Sequence, residues 1–231
     1  MDELFRINET LIGSENQRLI KTAKVAIVGV GGLGCCVLQS LVRLGVTNMT
    51  LIDADHVEDS NLQRQVLFTE KDVGKFKVET AKEKLSLFSK HLNISTFIEN
   101  LNSKNGTALL KDHDVVFDCT DNFTGRYTIS KACKTLNIPV IYGGVNAFEG
   151  QVGVFNYKSS KAFHEAFPAE KALLETETCE ASGVLVVVVQ IIANYQAVEF
   201  FKLRTNQKAL LNNKLLCVNI LSGNQRIIKL N

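Results

Sequence analysis

Short apolar runs alternate with amphipathic segments over the first 144 residues of the chain. The short runs are rich in Val and Ile and end at turn residues, which is typical of buried parallel strands, and they cover residues 24–30, 48–53, 94–99, 114–120 and 139–144. The segments between them carry apolar residues on one helical face, most clearly at residues 33–44, 78–91 and 123–136. This alternation predicts an α/β fold: a Rossmann-like parallel sheet with helices on both faces.

The pattern changes after residue 144. Residues 150–157 form a strand close to its predecessor, which favours antiparallel pairing, and residues 215–220 and 226–230 predict two further short strands. A very apolar helix is predicted over residues 184–204. The polar, poorly periodic residues 158–181 predict a crossover loop, because so long a loop in a compact domain is usually functional. With no internal linker, the sequence predicts one domain over residues 1–231, extended by antiparallel strands in its C-terminal part.

Composition and charge narrow the class of protein. Hydrophobic residues make up 45% of the 231 positions and charged residues 22%, which excludes a disordered chain. The net charge of +2 gives no reason to expect nucleic acid or a membrane surface as a partner. The start lacks a secretory signal, and the longest apolar run falls far short of the ~20 residues of a membrane span. The six cysteines include no C-x-x-C pair, so we expect no zinc, and a large, cysteine-poor chain without an export signal is expected to be cytoplasmic.

A glycine motif follows the first predicted strand. Gly29, Gly31 and Gly34 form G-x-G-x-x-G between a strand and a helix, and Asp53 ends the next strand. Such a turn lets backbone N–H groups approach a phosphate at the helix N-terminus, and the acid is placed to bind a ribose. The motif predicts a nucleotide site but does not choose between a dinucleotide and ATP. A tight turn without a ligand is the alternative.

The segment after Asp53 favours a triphosphate. It reads DADHVEDSNLQRQVLF and brings Asn61, Gln63, Arg64 and Gln65 into one polar cluster, with Lys77 thirteen residues beyond Arg64. Arg64 can hold a phosphate with two parallel hydrogen bonds. Two cations near a glycine loop suit ATP better than a nicotinamide, although an exposed polar loop would have the same composition.

Two aspartates flank Cys119 and Thr120 in the stretch FDCTDN, where the fourth predicted strand ends. Ligands of open α/β sheets bind beyond the carboxyl ends of the strands, and a carboxylate there can hold Mg²⁺ against phosphates. Asp121 is therefore a candidate Mg²⁺ ligand. The alternative is a helix N-cap formed by Asp121 or Asn122, and both roles can coexist.

These motifs, in this order and spacing, resemble those of the ThiF/MoeB/HesA family, the bacterial relatives of ubiquitin-activating enzymes. The resemblance runs over residues 17–203 and is carried by GxGGLG, SNLQRQ and DCTDN. It implies an enzyme that uses ATP and Mg²⁺ to adenylate the C-terminal glycine of a ubiquitin-like sulfur carrier ending in Gly-Gly. The resemblance also implies a homodimer and, for sulfur transfer, a sulfur-donor protein. Outside this family, an NAD-dependent oxidoreductase and a non-catalytic nucleotide-binding module remain alternatives.

The resemblance also assigns roles by position. It implies that Gly32 lies against the nucleotide, that Asp53 holds the ribose hydroxyls and that Asp121 binds Mg²⁺. Residues 60–64 would line the ATP site, with Asn61 and Arg64 near the phosphates. The full nucleotide set is Gly29, Gly31, Gly32, Gly34, Asp53, Ser60, Asn61, Arg64, Lys77, Asp121 and Asn122, and the catalytic set is Arg64, Lys77, Asp121 and Cys179.

Three further positions bear on the pathway and the assembly. The family places a cysteine where Cys179 stands in TETCEASGV, near the carrier's tail, and there it can join the carrier covalently; a bystander surface thiol is the alternative. Cys179 and the stretch QVLFTEKD favour thiamine-type sulfur transfer, with a molybdopterin-synthase carrier or a peptide substrate as alternatives.

The family's N-terminal arginine, which reaches the partner subunit's ATP, aligns with Phe5 without gaps and with Arg6 after a one-residue shift. The family's zinc cysteines are missing, so no zinc is expected.

Overall fold

The computed structural model describes residues 3–168 and 183–230. In these residues, eight strands form a single sheet in the order β3-β2-β1-β4-β5-β6-β7-β8. The strands are β1 (Lys24–Val28), β2 (Asn48–Ile52), β3 (Asn93–Phe97), β4 (Val115–Asp118), β5 (Val140–Asn146), β6 (Glu149–Phe155), β7 (Lys214–Asn219) and β8 (Gln225–Lys229).

The sheet has a parallel part and an antiparallel part. Strands β1 to β5 are all parallel, with β1 at the centre between β2 and β4. From β5 onward the pairings β5–β6, β6–β7 and β7–β8 are antiparallel. The predicted fold class, a Rossmann-like parallel sheet with a C-terminal antiparallel extension, is confirmed.

Helices cover both faces of the sheet. One apolar cluster joins the sheet to α2, α3, α4 and α8, and the other joins it to α5, α6 and α7. The helices are α1 (Arg6–Ile12), α2 (Ser14–Lys21), α3 (Gly32–Leu44), α4 (Lys77–Ser86), α5 (Gly106–Leu110), α6 (Phe123–Leu136), α7 (Phe163–Ala166) and α8 (Val186–Arg204).

Helix α8 is the core helix of the antiparallel side. In the described part of the chain it is the one helix long and apolar enough to meet the criteria for a membrane span. It packs against α3, β5 and β6, and it buries the polar side chains of Gln196 and Glu199. The Gln196 carboxamide donates to the carbonyls of Asp118 (3.1 Å) and Ile141 (3.2 Å), which ties α8 to the ends of β4 and β5. These contacts are those of a buried helix in a globular core.

One predicted helix boundary is wrong, and two further segments contain helices that were not predicted. Helix α4 ends at Ser86 rather than at residue 91, because the N–H groups of Leu87 and Phe88 bond to carbonyls only three residues back and form turns. The predicted loop 158–181 lies partly outside the described residues; its first part, residues 158–168, contains α7, whose first turn is stabilised by the Ala162 N–H donating to Glu165 Oε2 (2.7 Å). No prediction covered the residues before β1, where α1 and α2 lie.

Candidate nucleotide and acyl-substrate site

One cavity lies at the carboxyl ends of the parallel strands. Its volume is about 610 Å³, and its walls come from the segments that follow β1, β2, β3 and β4, together with Val145 of β5 and with Val184 and Val189 around the start of α8. This is the position at which open α/β sheets bind ligands, because helix N-termini and loops converge there. The predicted site residues should therefore line this cavity.

The glycine loop forms one edge of the cavity. Gly29 has a φ of +90°, and a Cβ there would lie 2.8 Å from the carbonyl oxygen of Cys119. A Cβ on Gly34 would collide with the Gly29 carbonyl, so Gly34 allows α3 to pack on β1 and does not line the cavity. Gly31 and Gly32 do line it. The first turn of α3 thus presents its backbone to the cavity without side chains, as a phosphate site requires.

Asp53 is held rigidly at the end of β2. Its Oδ2 accepts the N–H of Val30 (2.6 Å), and its Oδ1 accepts the N–H of Asp55 (2.8 Å). Burial raises the pKa of the Asp53 carboxyl, while the positive charge of Lys77 opposes that rise. The Lys77 side chain is buried and its Nζ lies 2.8 Å from Asp55 Oδ2. The structure therefore brings Asp53 and Lys77 together at the cavity wall.

Arg64 and Asn61 reach the cavity from the loop after β2. The Arg64 guanidinium donates to the Ser60 carbonyl (2.9 Å), and its side chain packs beside Gly32. Asn61 is buried and lines the cavity. Ser60 does not line it: its side chain is exposed and its hydroxyl donates to Glu58 Oε2 (3.4 Å). Only part of the predicted stretch 60–64 therefore faces the cavity.

Gln65 lines the cavity although the sequence assigned it no role. It is only 3% exposed, and its Oε1 is buried without a hydrogen-bond partner. Its carboxamide faces Gly31, whose Cβ position lies 3.9 Å from Gln65 Nε2. A buried carboxamide oxygen without a donor costs about 1–3 kcal/mol, which a hydrated ligand beside the glycine loop would recover. The polar stretch SNLQRQ was the signal that could have found it.

The opposite wall is formed by the turn between β4 and α6. Asp118 is buried, and its Oδ1 accepts from the hydroxyl (2.7 Å) and the N–H (3.1 Å) of Thr120. Burial raises the pKa of Asp118, and Arg126 opposes that rise. Asp121 is exposed and lines the cavity. Asn122 is the N-cap of α6, accepting the N–H of Gly125 (2.8 Å), so the cap belongs to Asn122 and Asp121 stays available to a ligand.

Arg126 is a third cavity cation, which the sequence did not predict. Its guanidinium carbon lies 5.3 Å from the ring centroid of Phe123 and 5.2 Å from that of Tyr142. Its Nη2 donates weakly to the Thr120 carbonyl (3.4 Å). A sequence signal existed: Arg126 lies one helical turn after Asn122, in the first turns of α6.

Several predicted residues are not brought to the cavity. Arg6 pairs with Glu3 (2.9 Å) at the start of α1 and does not line it. Cys179 lies outside the described residues, so its role stays a prediction. Within residues 3–168 and 183–230, no group of three or more His, Cys, Asp and Glu side chains is placed to hold a metal ion. His164 instead bonds to Ser130 (2.8 Å).

Comparison with known proteins identifies the family. The ThiF family model matches residues 6–231. The chain belongs to the ThiF family. Within this family, it is 34% identical over 235 residues to a molybdopterin-synthase adenylyltransferase of Salmonella typhimurium, covering 99% of this chain and 93% of the relative. The enzyme of the same name from Escherichia coli is 36% identical, over 87% of this chain and 82% of its own length.

The relatives differ in length. A probable molybdopterin-synthase adenylyltransferase of Gracilaria tenuistipitata is 35% identical over 95% of this chain, but this chain spans only 61% of it. The fold is shared with solved structures: Escherichia coli MccB with ATP has a TM-score of 0.86 at 24% identity, covering 100% of this chain and 72% of MccB. PaaA has a TM-score of 0.79 at 26% identity, covering 93% of this chain and 66% of PaaA.

The comparisons confirm the predicted family, and the relatives of this ThiF-family chain are named as adenylyltransferases, which is the predicted class of enzyme. They do not favour the preferred pathway. The relatives are named for molybdopterin synthase rather than for thiamine synthesis, so the alternative carrier fits better.

Proposed function

We propose that this protein uses ATP to adenylate the C-terminal carboxylate of a ubiquitin-like sulfur carrier of the molybdopterin-synthase type. One observation carries the proposal: a single cavity collects the glycine loop, Asp53, Arg64, Lys77 and Asp121 at the carboxyl ends of the parallel strands. A non-catalytic nucleotide-binding module would not need all four side chains.

The cavity fits the chemistry of a nucleoside triphosphate. Asp53, fixed by two backbone N–H groups, would accept from the ribose hydroxyls. Gly31 and Gly32 would let the triphosphate approach the N-terminus of α3, where the unpaired N–H groups and the helix dipole favour an anion. Gln65 Nε2, 3.9 Å from the Cβ position of Gly31, supplies an N–H donor beside that path. A nicotinamide dinucleotide would leave the two cations Arg64 and Lys77 without an obvious use.

The reaction needs positioning and charge neutralisation more than a base. The carrier's terminal carboxylate is already ionised near neutral pH, so no proton has to be removed before it attacks the α-phosphorus. Arg64 and Lys77 would offset the charge on the phosphates and on departing pyrophosphate. Asp121 would hold Mg²⁺, which supplies charge neutralisation at the phosphate oxygens.

The choice of carrier rests on the relatives. The curated enzymes from Salmonella typhimurium and Escherichia coli are named for molybdopterin synthase. MccB, which shares the fold, has been crystallised with the peptide MccA, so a peptide substrate is the second candidate. A homodimer in which Arg6 reaches the partner's ATP, and a covalent role of Cys179 with a sulfur donor, belong to the proposal as further steps.

The test is ATP–pyrophosphate exchange with three acyl substrates: the molybdopterin-synthase carrier, a thiamine-pathway carrier and an MccA-like peptide. We expect exchange to depend on the first and to vanish when its two C-terminal glycines are deleted. Exchange with only the thiamine-pathway carrier or only the peptide would overturn the choice of carrier. No exchange with any of the three would refute the adenylyltransferase itself.

A further inference from the structure

The cavity is elongated along the sheet, and its two ends have different chemistry. Its lining runs from Asn100, after β3, through the segments after β2, β1 and β4, to Val145 of β5. Four strand spacings separate β3 from β5, which is roughly 19 Å at the usual distance of about 4.8 Å between strands. The cavity is therefore long enough to hold two reactants side by side.

The proposed nucleotide fills one end of this length. Asp53 and Lys77 belong to the segments after β2, and Arg64, from the loop after β2, packs beside Gly32 of the glycine loop after β1. This order puts the ribose at the β2–β3 end and the phosphates over β1 and β4. The acyl substrate, which must meet the α-phosphate, is left with the β4–β5 end.

Arg126 is the only Lys or Arg at that second end among the cavity-lining residues in the described part of the chain. A Cβ on Gly144 of β5 would lie 3.6 Å from its Nη2, which places the guanidinium beside the end of β5. Asp121, the candidate Mg²⁺ ligand, lies five residues before it on the same wall. The cation thus stands next to the place where the two reactants must meet.

The surroundings of Arg126 suit it to recognise a carboxylate. The rings of Phe123 and Tyr142 contact its guanidinium at 5.3 and 5.2 Å, which restricts its orientation. Ring contacts use the faces of a guanidinium, and the in-plane fork of its N–H groups matches the two oxygens of a carboxylate. The nearby Asp118 carboxylate is buried, accepts from Thr120 through Oδ1 and does not line the cavity, so it offers charge balance without reaching the ligand.

From this arrangement we infer that Arg126 binds the terminal carboxylate of the acyl substrate and aims it at the α-phosphate. The inference rests on the proposed adenylation. In that step, one carboxylate oxygen forms a bond to the α-phosphorus, the bond from that phosphorus to the bridging oxygen breaks, and pyrophosphate leaves with the electron pair. Arg126 holds the other oxygen, so the nucleophile enters in a fixed orientation.

The experiment measures binding of the molybdopterin-synthase carrier to protein loaded with Mg²⁺ and the non-hydrolysable analogue AMPCPP. The carrier is used with its natural C-terminal carboxylate or with that group converted to an amide. We expect wild-type protein to prefer the carboxylate form at least tenfold in Kd. Arg126→Gln should reduce this preference to below threefold, and Arg126→Lys should reduce it partly, because an ammonium lacks the fork.

The matched control is Arg43→Gln, which removes another ring-stacked arginine, 5.0 Å from Phe88 and outside the cavity. This variant should keep the full preference. The AMPCPP affinity of all variants should stay within twofold of wild type, which a general collapse of the site would not allow. If Arg126→Gln fails to fold, the carboxylate preference of Arg126→Lys is the measurement that tests the inference.

Retention of the full preference in the folded Arg126 variants would overturn the inference, as would equal binding of both carrier forms by wild-type protein. Failure of wild-type protein to bind either form would instead count against the proposed function, and the role of Arg126 would fall with it.

Discussion

The two walls of the cavity each place an aspartate where a strand ends, but they use it differently. On the β2 wall, the half-buried Asp53 lines the cavity with both oxygens fixed by backbone N–H groups. On the β4 wall, Asp118 is buried away from the cavity and holds the turn through Thr120. The first wall therefore presents its half-buried acid to a ligand. The second uses its buried acid to shape a turn, and it presents the neighbouring Asp121 and Arg126 instead.

This contrast predicts the largest effect at Asp121. Asp121→Ala should lower the rate of ATP–pyrophosphate exchange by about 100-fold or more, because a Mg²⁺ ligand at a phosphate contributes several kcal/mol to the transition state. The fold should survive, since Asp121 does not cap α6. Steady-state exchange rates and a melting curve measure the two effects. A wild-type rate in this variant would remove Asp121 from the chemistry.

On the β2 wall, Lys77→Met should weaken ATP binding about tenfold, through loss of one buried cation near the phosphates. It should also shift the pH dependence. Lys77 opposes the rise in the pKa of Asp53, so without it that pKa rises further and Asp53 becomes protonated at higher pH. The acidic limb of the ATP-binding profile should move upward in pH.

Calorimetry between pH 5 and pH 8 follows both changes, with Lys82→Met, on the same helix but outside the cavity, as the control. An unshifted acidic limb in Lys77→Met would break the link between Lys77 and Asp53.

Another buried aspartate lies outside the cavity and sharpens the comparison. Asp72 contacts Lys75 (3.2 Å) and Lys84 (2.8 Å) and accepts from Thr69. These partners hold the pKa of Asp72 well below its usual range even though burial acts in the opposite direction. Because the folded-state pKa is depressed, the stabilisation is present above the unfolded pKa of about 4 and is lost as the pH falls below it.

Asp72→Asn should therefore cost about 2 kcal/mol of unfolding free energy at pH 7. The gap to wild type should narrow below about pH 4, where wild-type Asp72 begins to lose its own stabilisation. Urea unfolding at pH 7 and below about pH 4 measures this gap in unfolding free energy. The ATP affinity of the variant should equal that of wild type. A gap that is independent of pH would contradict the assigned ionisation.

The smallest effect is expected at Asn122. Asn122→Ala should lower the unfolding free energy by about 1 kcal/mol through loss of the helix cap, and Asn122→Asp should restore it. Chemical denaturation measures this difference. If Asp121→Ala is the less stable of the two alanine variants, the cap has been assigned to the wrong residue.

The parts of the molecule that sequence could predict are those set by local pattern. Helix α6 has the predicted bounds, and the glycine loop follows β1 as its motif requires, because both depend on neighbouring residues. No prediction covered helices α1 and α2, because their seven and eight residues give only about two turns of helical periodicity each. Arg126 was missed because its role depends on Tyr142, a contact sixteen residues away that no local pattern encodes.

The same limit applies to the site. Sequence motifs placed Asp53, Arg64 and Lys77 in one site, and the structure brings them to one cavity. The motifs did not separate Ser60, whose side chain is exposed, from Asn61, whose side chain is buried, because adjacent residues of a short 3₁₀ turn point in different directions.

The central claim is that the cavity is built for a triphosphate, and calorimetric titration of wild-type protein with ATP and with NAD, each with Mg²⁺, tests it most directly. We expect saturable ATP binding at one site per chain that weakens in Lys77→Met, and no measurable binding of NAD. Tight NAD binding without ATP binding would contradict the account, because Arg64, Lys77 and Asp121 would then surround the wrong ligand.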